Sequence, residues 1–299
     1  MTAKITIGPL LFHWPAEKRR DFYFQIADNP HVDTVYLGEV ICSKRTPFFI
    51  ADIDVARQRL EDAGKTVVFS TLSEVTERRD QKDVEKICDI KNNFVEANDS
   101  SALLQLAGRS HYIGQLMNVY NENTMEHLHE NGAVHFCVPS ELPSDALVVL
   151  GDKAKELDAA LEVQVFGRTS LALSARCYHA RAHNRIKANC RFVCGEDHDG
   201  MNLTTLSGDT FLTVNGIQTL SYHYLNLIGE LKDLQNMGVT HFRLSPHTTD
   251  MDVVIQAFHD VLFDKATITE ARDCLEGLDI EAPFVNGFFH GQPGLDYVL

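Results

Sequence analysis

Short runs of apolar residues alternate along the chain with segments whose apolar positions recur at helical spacing. Lys4–Phe12 and Thr34–Glu39 have the pattern of strands, and Ala16–Asp28 between them has the period of a helix. Further strand and helix patterns follow in the same alternation, close to eight pairs in all. Strands that alternate with helices form parallel sheets, and eight such units favour a closed sheet. The pattern therefore predicts an α/β fold, a TIM-like (β/α)8 barrel that need not be regular throughout.

The alternation breaks over residues 167–221, which hold three cysteines, many arginines and a predicted hairpin of Met201–Leu206 with Thr210–Val214. Regular patterning resumes with a predicted helix over Tyr222–Met237. We expect one barrel domain over residues 1–299, with 167–221 as an irregular insertion. Neither G-x-G-x-x-G nor G-x-x-x-x-G-K-[ST] supports an open nucleotide-binding sheet in its place.

In such a barrel, functional residues collect in the loops that follow the carboxyl ends of the strands. We expect one shared rim with these residues: Glu39 with Cys42, Asn98 with Asp99, Asn118 with Asn121, the 167–194 loop, and Arg243 with His247. His13 and Glu39, near the ends of the first two strands, are candidates for proton transfer. Ordinary polarity of a rim explains these two residues equally well.

The composition argues against several classes of protein. A net charge of −15 opposes bulk electrostatic binding to nucleic acid, which requires a basic face. No stretch reaches the roughly 18 apolar residues of a membrane span, and the amino terminus alternates like a strand rather than a signal peptide. We therefore expect a cytoplasmic protein, whose cysteines serve metal binding or catalysis more often than disulfides.

Four of the seven cysteines stand out. Cys177, Cys190 and Cys194 form a C-x12-C-x3-C pattern in the irregular segment, and Cys42 follows a predicted strand whose loop can face that segment. By residue type, four thiolates suit either a structural zinc ion or an iron–sulfur cluster. The others lie in apolar patterns where a cysteine behaves as a small hydrophobe, so we expect core positions for Cys88, Cys137 and Cys274.

Cys177, Cys190 and Cys194 lie in or next to a basic segment, residues 168–191, that contains no acidic residue. Its cations are Arg168, Arg176, Arg181, Arg185, Lys187 and Arg191. An iron–sulfur cluster on four thiolates is anionic, and cations such as Arg176 and Arg191 would stabilise it and raise its potential. The same segment would also suit an acidic substrate, a lipid head group, or plain solvation.

Other motifs add little chemistry. His179 and His183 lie four residues apart and could act together as metal ligands, although such a pair more often forms an ordinary polar helix face. No H-E-x-x-H or G-x-S-x-G sequence occurs, so metalloprotease and serine hydrolase functions lack positive support.

The segment from Glu162 to Cys177 resembles the signature of the collagenase-like peptidase family, in which a strand leads through a small-residue turn to Ser-Gly-Arg-Cys. Five positions match, namely Glu162, Gly167, Ser174, Arg176 and Cys177, and Ala175 replaces the glycine. Ser170 stands where that family usually has a cysteine. A fourth ligand would then come from elsewhere, and Cys42 is the natural candidate.

The resemblance extends over essentially the whole chain and is strongest with the ubiquinone biosynthesis branch of the family. It rests on the opening Gly8–Trp14, on Val35–Cys42, on 171–183 and on Asn189–Cys194. It implies a [4Fe-4S] cluster held by Cys42, Cys177, Cys190 and Cys194. It also implies oxygen-independent hydroxylation of ubiquinone precursors in a heterodimer with the paralogue UbiU, with a lipid-binding accessory protein presenting the hydrophobic intermediate.

Three other functions stay open. The family name suggests a peptidase, which would need an activated nucleophile and a base. Related proteins resemble RNA hydroxylation proteins, although the net charge of this chain disfavours RNA binding. A barrel with a structural zinc ion, serving as a binding subunit, is the non-enzymatic interpretation.

Overall fold

The computed structural model describes residues 3–298. Twelve strands occur in this range: β1 Lys4–Ile7, β2 Thr34–Gly38, β3 Thr66–Ser70, β4 Phe94–Ala97, β5 His111–Ile113, β6 Ala133–Val138, β7 Ala160–Leu173, β8 Met201–Thr204, β9 Thr210–Asn215, β10 Gln218–Asn226, β11 His241–Leu244 and β12 Phe284–Val285. The α-helices of the same range are α1 Ala16–Asp28, α2 Ile50–Asp62, α3 Arg78–Cys88, α4 Ser100–Leu106, α5 Glu122–Glu130, α6 Ser144–Glu156, α7 Tyr178–Ala182, α8 Leu231–Asn236, α9 Met251–Leu262 and α10 Ile268–Glu276. Single 3-10 turns cover Ser43–Phe48, Gln115–Met117, Lys187–Asn189 and Val193–Gly195.

Eight parallel strands close into a barrel. Each of β1 to β6 pairs with the strand that follows it, and β11 lies between β7 and β1. In this closure Ile5 of β1 is opposite Phe242, and Gln164 of β7 is opposite Arg243. Helices alternate with these strands, so the predicted TIM-like (β/α)8 barrel is confirmed.

The carboxyl half of β7 leaves the barrel and becomes part of a second, antiparallel layer. Residues 166–173 of β7 pair with β10, which pairs in turn with β9, and β9 with β8. The predicted hairpin is confirmed as β8 and β9. The insertion is thus more regular than expected, because residues 167–173 and strands β8 to β10 continue the barrel sheet.

The predicted helix over Tyr222–Met237 is wrong. Residues up to Asn226 belong to β10, and only Leu231–Asn236 are helical. The side chains of Leu220 and Tyr224 are buried on the strand, and two-residue alternation in this short stretch competes with a helical period. Pairing with β7 decides between the two.

The sequence pattern predicts a helix over Glu74–Ile90 with Ser73 as its N-cap, but helix α3 begins only at Arg78. The expected cap, Ser73, uses its hydroxyl to donate to the Val40 carbonyl. The side chain of Asp80 instead accepts the amide hydrogens of Thr76 and Glu77, each at 3.0 Å. A carboxylate in the first turn satisfies amides that the helix leaves free.

The interior of the barrel holds a buried network of charges. Glu162 of β7 accepts hydrogen bonds from Tyr36 at 2.7 Å and from Arg243 at 2.7 Å, and it lies 2.9 Å from His135. Arg243 also donates to Glu96 at 2.7 Å. The expectation that Arg243 lies on the rim is therefore wrong, because these two carboxylates hold it inside the barrel.

Asn98 also points inward: its amide donates to the Thr71 carbonyl at 3.2 Å and to Glu96 at 3.1 Å. It therefore extends the interior network instead of standing on the rim. Asp99, by contrast, caps α4 by accepting the Ser101 amide at 2.8 Å. Both residues have structural partners that explain their side-chain positions.

The cysteines outside the proposed site divide into two kinds. Cys88 and Cys137 are buried, as expected of small hydrophobes. Cys274 is exposed, so its predicted core position is wrong. Helix α10 buries Ala271 and Leu275 instead, and Cys274 lies beside this apolar stripe. Within residues 3–298 we find no helix of the length and apolarity needed to cross a membrane.

Candidate metal centre

Four segments meet beside the carboxyl ends of β1 and β2. They are the loop after β1 with Leu11, the Ser43–Phe48 turn after β2, the segment 177–195, and the turn between β9 and β10. Leu11, Val40, Ile41 and Ile217 form a small apolar cluster there, and the half-buried Cys177 packs against it. The structure thus brings the Cys42 loop and the insertion to one place, as the sequence predicted.

Cys42 is held by the backbone around it. It stands immediately before the Ser43–Phe48 turn. One oxygen of Glu39, Oε1, accepts the amide hydrogens of Ile41 and Cys42, each at 3.0 Å. The Ser43 hydroxyl donates to Asp80 of α3 at 2.5 Å. A barrel strand and an outer helix therefore fix the position of this cysteine.

The three cysteines of the insertion lie on tight turns. Cys177 is the N-cap of α7, and its sulfur accepts the Ala180 amide hydrogen at 3.4 Å. Between Cys190 and Cys194, both Arg191 and Phe192 have left-handed backbone conformations, with φ of 51° and 55°. Two consecutive non-glycine residues in this region are costly, and such strain persists only where surrounding contacts impose it.

Lys44 links the two parts of the site. Its ammonium donates to the carbonyls of Lys187 at 2.6 Å and Ala188 at 3.2 Å, and lies 3.8 Å from the sulfur of Cys190. The residue two positions after Cys42 thus reaches the turn that carries Cys190. Cys190 is therefore held near the Cys42 loop by a cation.

Arg45 is the buried centre of this region, with only 1% of its surface exposed. It donates to the Leu11 carbonyl at 2.9 Å and to Asn215 at 2.8 Å, while Nε has no hydrogen-bond partner within residues 3–298. Burial opposes its charge, but the neighbouring Cys194, Glu39 and Cys42 raise the pKa of the guanidinium.

The cations near Arg45 outnumber the carboxylates. Arg19 and Arg45 are both buried, and their guanidinium groups lie 3.9 Å and 3.8 Å from Glu39. In the described part of the chain, Glu39 is the single carboxylate within 4 Å of either arginine. One buried positive charge thus lacks a carboxylate, and a buried charge without a partner is strongly unfavourable.

Cys42 and Cys177 are not ionised by their surroundings alone. Burial raises the pKa of Cys42, and Arg45 opposes that rise only in part. Burial likewise raises the pKa of Cys177, and the nearby Cys194 and Cys190 add to this effect. Metal coordination deprotonates a thiol outright, so a bound metal would supply the anionic thiolates that Arg45 lacks.

His13 and Glu39 both lie at this site, as the sequence predicted. The His13 ring contacts Phe48 and Phe192, with centroid distances of 5.0 and 5.8 Å. Burial, and then Arg45 and Arg19, lower the pKa of His13 to about 4. At neutral pH this ring is therefore uncharged and adds no further positive charge.

The cations that surround the cysteines differ from those that the sequence pattern suggested. Arg176 and Arg191 are exposed. Arg168 is buried away from solvent and donates to Thr213 at 2.9 Å. Lys44 and Arg45 lie beside the cysteines, and the sequence alone holds no signal that would select them over the other cations.

His179 and His183 come together with Asp197. His179 Nε2 lies 2.8 Å from Asp197 Oδ2, and the two imidazole rings are nearly parallel at 5.7 Å. One ligand atom of each of the three residues falls within 4.8 Å of the others. The His179–Asp197 contact joins the start of α7 to the turn after Cys194, which helps to position both cysteines.

The described residues show no serine or cysteine beside a histidine that could activate it for hydrolysis. In residues 3–298, no serine or cysteine side chain makes a hydrogen bond to a histidine ring. The Thr240 hydroxyl lies 2.8 Å from His241, but this pair stands at the amino end of β11, away from the rim.

Comparison with known proteins identifies the family. The family model described as peptidase family U32 matches residues 21–296. Among solved structures, an uncharacterized B. cereus protein is 10% identical, with a TM-score of 0.43 over 87% of this chain and 65% of that one. The spore cortex-lytic enzyme SleL of Bacillus megaterium QM B1551 is 9% identical, with a TM-score of 0.23 over 77% and 49%.

The chain spans less than two thirds of the length of either solved structure. Similarities this low carry no argument about chemistry. The family match is different in kind, because it covers most of the chain, including barrel strands β2 to β7 and β11, Cys42 and all three cysteines of the insertion. This chain therefore belongs to peptidase family U32.

Proposed function

We propose that this protein holds a [4Fe-4S] cluster through Cys42, Cys177, Cys190 and Cys194. The observation that carries the proposal is the charge imbalance at Arg45. This buried arginine shares one carboxylate with Arg19, donates to two neutral oxygens and lies beside Cys42 and Cys194. Thiolates on a metal would supply the missing negative charge. Neutral thiols would leave it unbalanced.

Zinc and iron both accept four thiolates, and the charge argument does not separate them. The choice of iron rests on the sequence resemblance to the ubiquinone biosynthesis protein UbiV, which includes Cys42 and the replacement of the usual family cysteine by Ser170. In the structure Ser170 accepts a hydrogen bond from Gln218 at 2.9 Å, which gives it a partner within the antiparallel layer.

In this proposal the protein supports oxygen-independent hydroxylation of ubiquinone precursors in the cytoplasm. It would act as a subunit with its paralogue UbiU, and a lipid-binding protein would present the precursor. The bound cluster would supply one-electron transfer. Arg45 and Lys44 would stabilise its negative charge and raise its potential, and the apolar Leu11, Ile41 and Ile217 would limit access of water.

Peptide hydrolysis, which the family name suggests, has less support. It needs a nucleophile activated by a base, and the described residues show no serine or cysteine paired with a histidine. Collagen or casein should therefore stay intact during incubation with the iron-loaded protein and with the iron-free protein. If both preparations cleaved these substrates, and a serine-directed or cysteine-directed inhibitor abolished the cleavage, the protein would be a peptidase instead.

The cluster is tested by anaerobic purification followed by iron, sulfide and zinc analysis and visible absorption. We expect about four iron and four sulfide per chain, and each of Cys42→Ala, Cys177→Ala, Cys190→Ala and Cys194→Ala should lose most of both. Cys274→Ala, which changes an exposed cysteine, is the matched control and should keep them. Zinc in place of iron would contradict the cluster but keep the thiolate site.

The hydroxylation role needs its own assay. Anaerobic extracts that lack this protein should accumulate non-hydroxylated ubiquinone precursors, and the wild-type chain together with UbiU should restore their hydroxylation. The Cys42→Ala variant should fail where Cys274→Ala succeeds. Full restoration by Cys42→Ala would separate the function from the cluster.

A further inference from the structure

A second group of metal-ligand side chains lies beside the cysteines and takes no part in the proposed cluster. His179 lies in α7, His183 follows directly after that helix, and Asp197 comes two residues after the Val193–Gly195 turn. One ligand atom of each residue lies within 4.8 Å of those of the other two. Two imidazoles and a carboxylate are ligands that zinc and ferrous iron accept in proteins.

Helix α7 sets the spacing of the two histidines. Residues four apart lie on the same face of a helix, and the rings of His179 and His183 are nearly parallel, with centroids 5.7 Å apart. His179 Nε2 lies 2.8 Å from Asp197 Oδ2. The ligand atoms of a tetrahedral zinc ion are about 3.4 Å from one another, so this pair needs to separate by only about half an ångström. His183 is exposed, so rotation of its side chain closes the remaining distance.

Hydrogen bonds explain only part of this arrangement. The contact between His179 and Asp197 is complete without His183, whose ring forms no hydrogen bond with any residue between 3 and 298. Over the same range, Oδ1 of Asp197 accepts no hydrogen bond either. A shared metal ion accounts for the positions of all three residues.

We propose that His179, His183 and Asp197 bind one divalent transition-metal ion in a site separate from the four cysteines. Three protein ligands leave one coordination position for water, as in catalytic zinc sites. The ion joins α7, which follows Cys177, to the turn that holds Cys194, so it fixes these two segments against each other. The inference goes beyond the proposed function and stands whether the cysteines hold iron or zinc.

Two features of the surroundings limit the affinity of this site. The positive charge of Arg45 acts on His179 and opposes the binding of a cation. When His179 Nε2 binds the ion, Nδ1 carries the ring hydrogen, and this buried atom has no acceptor in the described part of the chain. We therefore expect a dissociation constant of about 1–10 μM for zinc, far weaker than that of a structural zinc site.

The first test is equilibrium dialysis of the anaerobically purified, metal-loaded chain, without a histidine tag, against zinc. We expect one additional zinc per chain, with iron and sulfide unchanged, and no competition from magnesium, which imidazole ligands suit poorly. If the cysteines hold zinc instead of iron, that zinc is present before the dialysis and the additional ion is still counted. No additional zinc at about 0.1 mM, or zinc gained only as iron is lost, would overturn the proposal.

Substitutions at the three ligands locate the additional ion. His183→Gln removes an exposed ligand and should weaken zinc binding at least about tenfold, because even the loss of a group behind a ligand costs about 10–100-fold. His127→Gln changes an exposed histidine of α5 and is the matched control, with unchanged affinity.

Asp197→Asn separates a metal ligand from a structural hydrogen-bond partner. Asparagine keeps an oxygen for the His179 ring but removes the charge, so zinc affinity should fall at least about tenfold while the thermal midpoint of the zinc-free protein is unchanged. Wild-type zinc affinity in both His183→Gln and Asp197→Asn would place the ion elsewhere and refute the site.

Cobalt distinguishes these ligands from the cysteines. Cobalt bound to nitrogen and oxygen lacks the intense sulfur-to-metal charge-transfer absorption of cobalt thiolates. Addition of cobalt to the metal-loaded protein should therefore give only weak visible bands, and His183→Gln should abolish them. An intense charge-transfer band would assign the additional ion to a cysteine and contradict the proposal.

Discussion

Arg45 shows how much of the site depends on residues beside the cysteines. It joins the Leu11 carbonyl and Asn215, and it lies beside Cys42 and Cys194. The four cysteines, Glu39 and His13 could be picked out from the sequence, because residue type and position after a strand suffice. Arg45 could not, since an arginine after a loop cysteine is ordinarily solvated and only the fold buries it.

Arg45→Met should weaken both the fold and the metal centre. It leaves Asn215 Oδ1 without a donor, while the Leu11 carbonyl keeps the Asn215 amide and Glu39 keeps Arg19, so we expect a loss of about 1–3 kcal/mol in the free energy of unfolding. The reduction potential of the bound cluster should also fall, because a nearby positive charge is lost. Urea unfolding and voltammetry measure the two effects.

Arg176→Met serves as the control for this change, since Arg176 is exposed. It should alter the free energy of unfolding by less than about 0.5 kcal/mol. A potential that responds to Arg176 and not to Arg45 would contradict the assignment of the cations.

Strand β7 is the element that connects the barrel to the cysteine segment. Its first half pairs with β6 and β11 as a barrel strand, and its second half pairs with β10. Gly167 lies at this junction with φ of 107°, and a Cβ there would lie 2.7 Å from the Ser245 Cβ. Glycine is needed at this point for both its backbone freedom and its lack of a side chain.

Gly167→Ala should therefore destabilise the protein by more than backbone strain alone. Gly208→Ala is a matched control, because Gly208 also has a positive φ, 97°, but has nothing within 4 Å of its Cβ position. We expect Gly208→Ala to lower the free energy of unfolding by about 1 kcal/mol. Gly167→Ala should lower the free energy of unfolding, measured with urea, by about 3 kcal/mol or more, because the backbone strain and the steric clash both contribute. Equal losses would show that the junction tolerates a side chain.

Most elements could be predicted from their own pattern, and the exceptions share a cause. Helices such as α1 and α9 have local signals, for example Asp250, which accepts the Asp252 and Val253 amides. β10 has no such signal. Its two-residue alternation is short and competes with a helical period, and the pairing that decides for a strand is with the half of β7 outside the barrel, some fifty residues earlier.

At the scale of the whole molecule, buried histidines make stability depend on pH. Burial lowers the pKa of His241 to about 3 and that of His247 to about 4. In the unfolded chain both rings would take up protons near pH 6.5. Because the unfolded state binds more protons between these values, the free energy of unfolding must fall as pH decreases from about 6.5 toward 4.

His241→Gln should reduce this slope. One histidine contributes up to about 1.4 kcal/mol per pH unit to the slope within that window. Between pH 6.5 and 5 the free energy of unfolding of the variant should therefore fall less steeply than that of the wild type, by up to this amount per pH unit. Urea unfolding at half-unit steps measures it. Glu162, whose pKa is held well below its usual range by Arg243 and His135 against the effect of burial, adds its own loss only below about pH 4.5. An unchanged slope would mean that His241 is accessible to protons in the folded protein.

The closure of the barrel between β1 and β11 has a consequence for biosynthesis. The ribosome adds His241 more than two hundred residues after Lys4, at about 5–20 residues per second. The first strand therefore waits for tens of seconds with one edge unpaired, and Cys42 emerges long before Cys194. Until Cys194 is made, the nascent chain lacks one of the four cysteines, so under the proposed function the metal would be inserted only after that residue has emerged. An unpaired strand edge is prone to pair with other chains, so the open edge of β1 is an aggregation hazard during this interval.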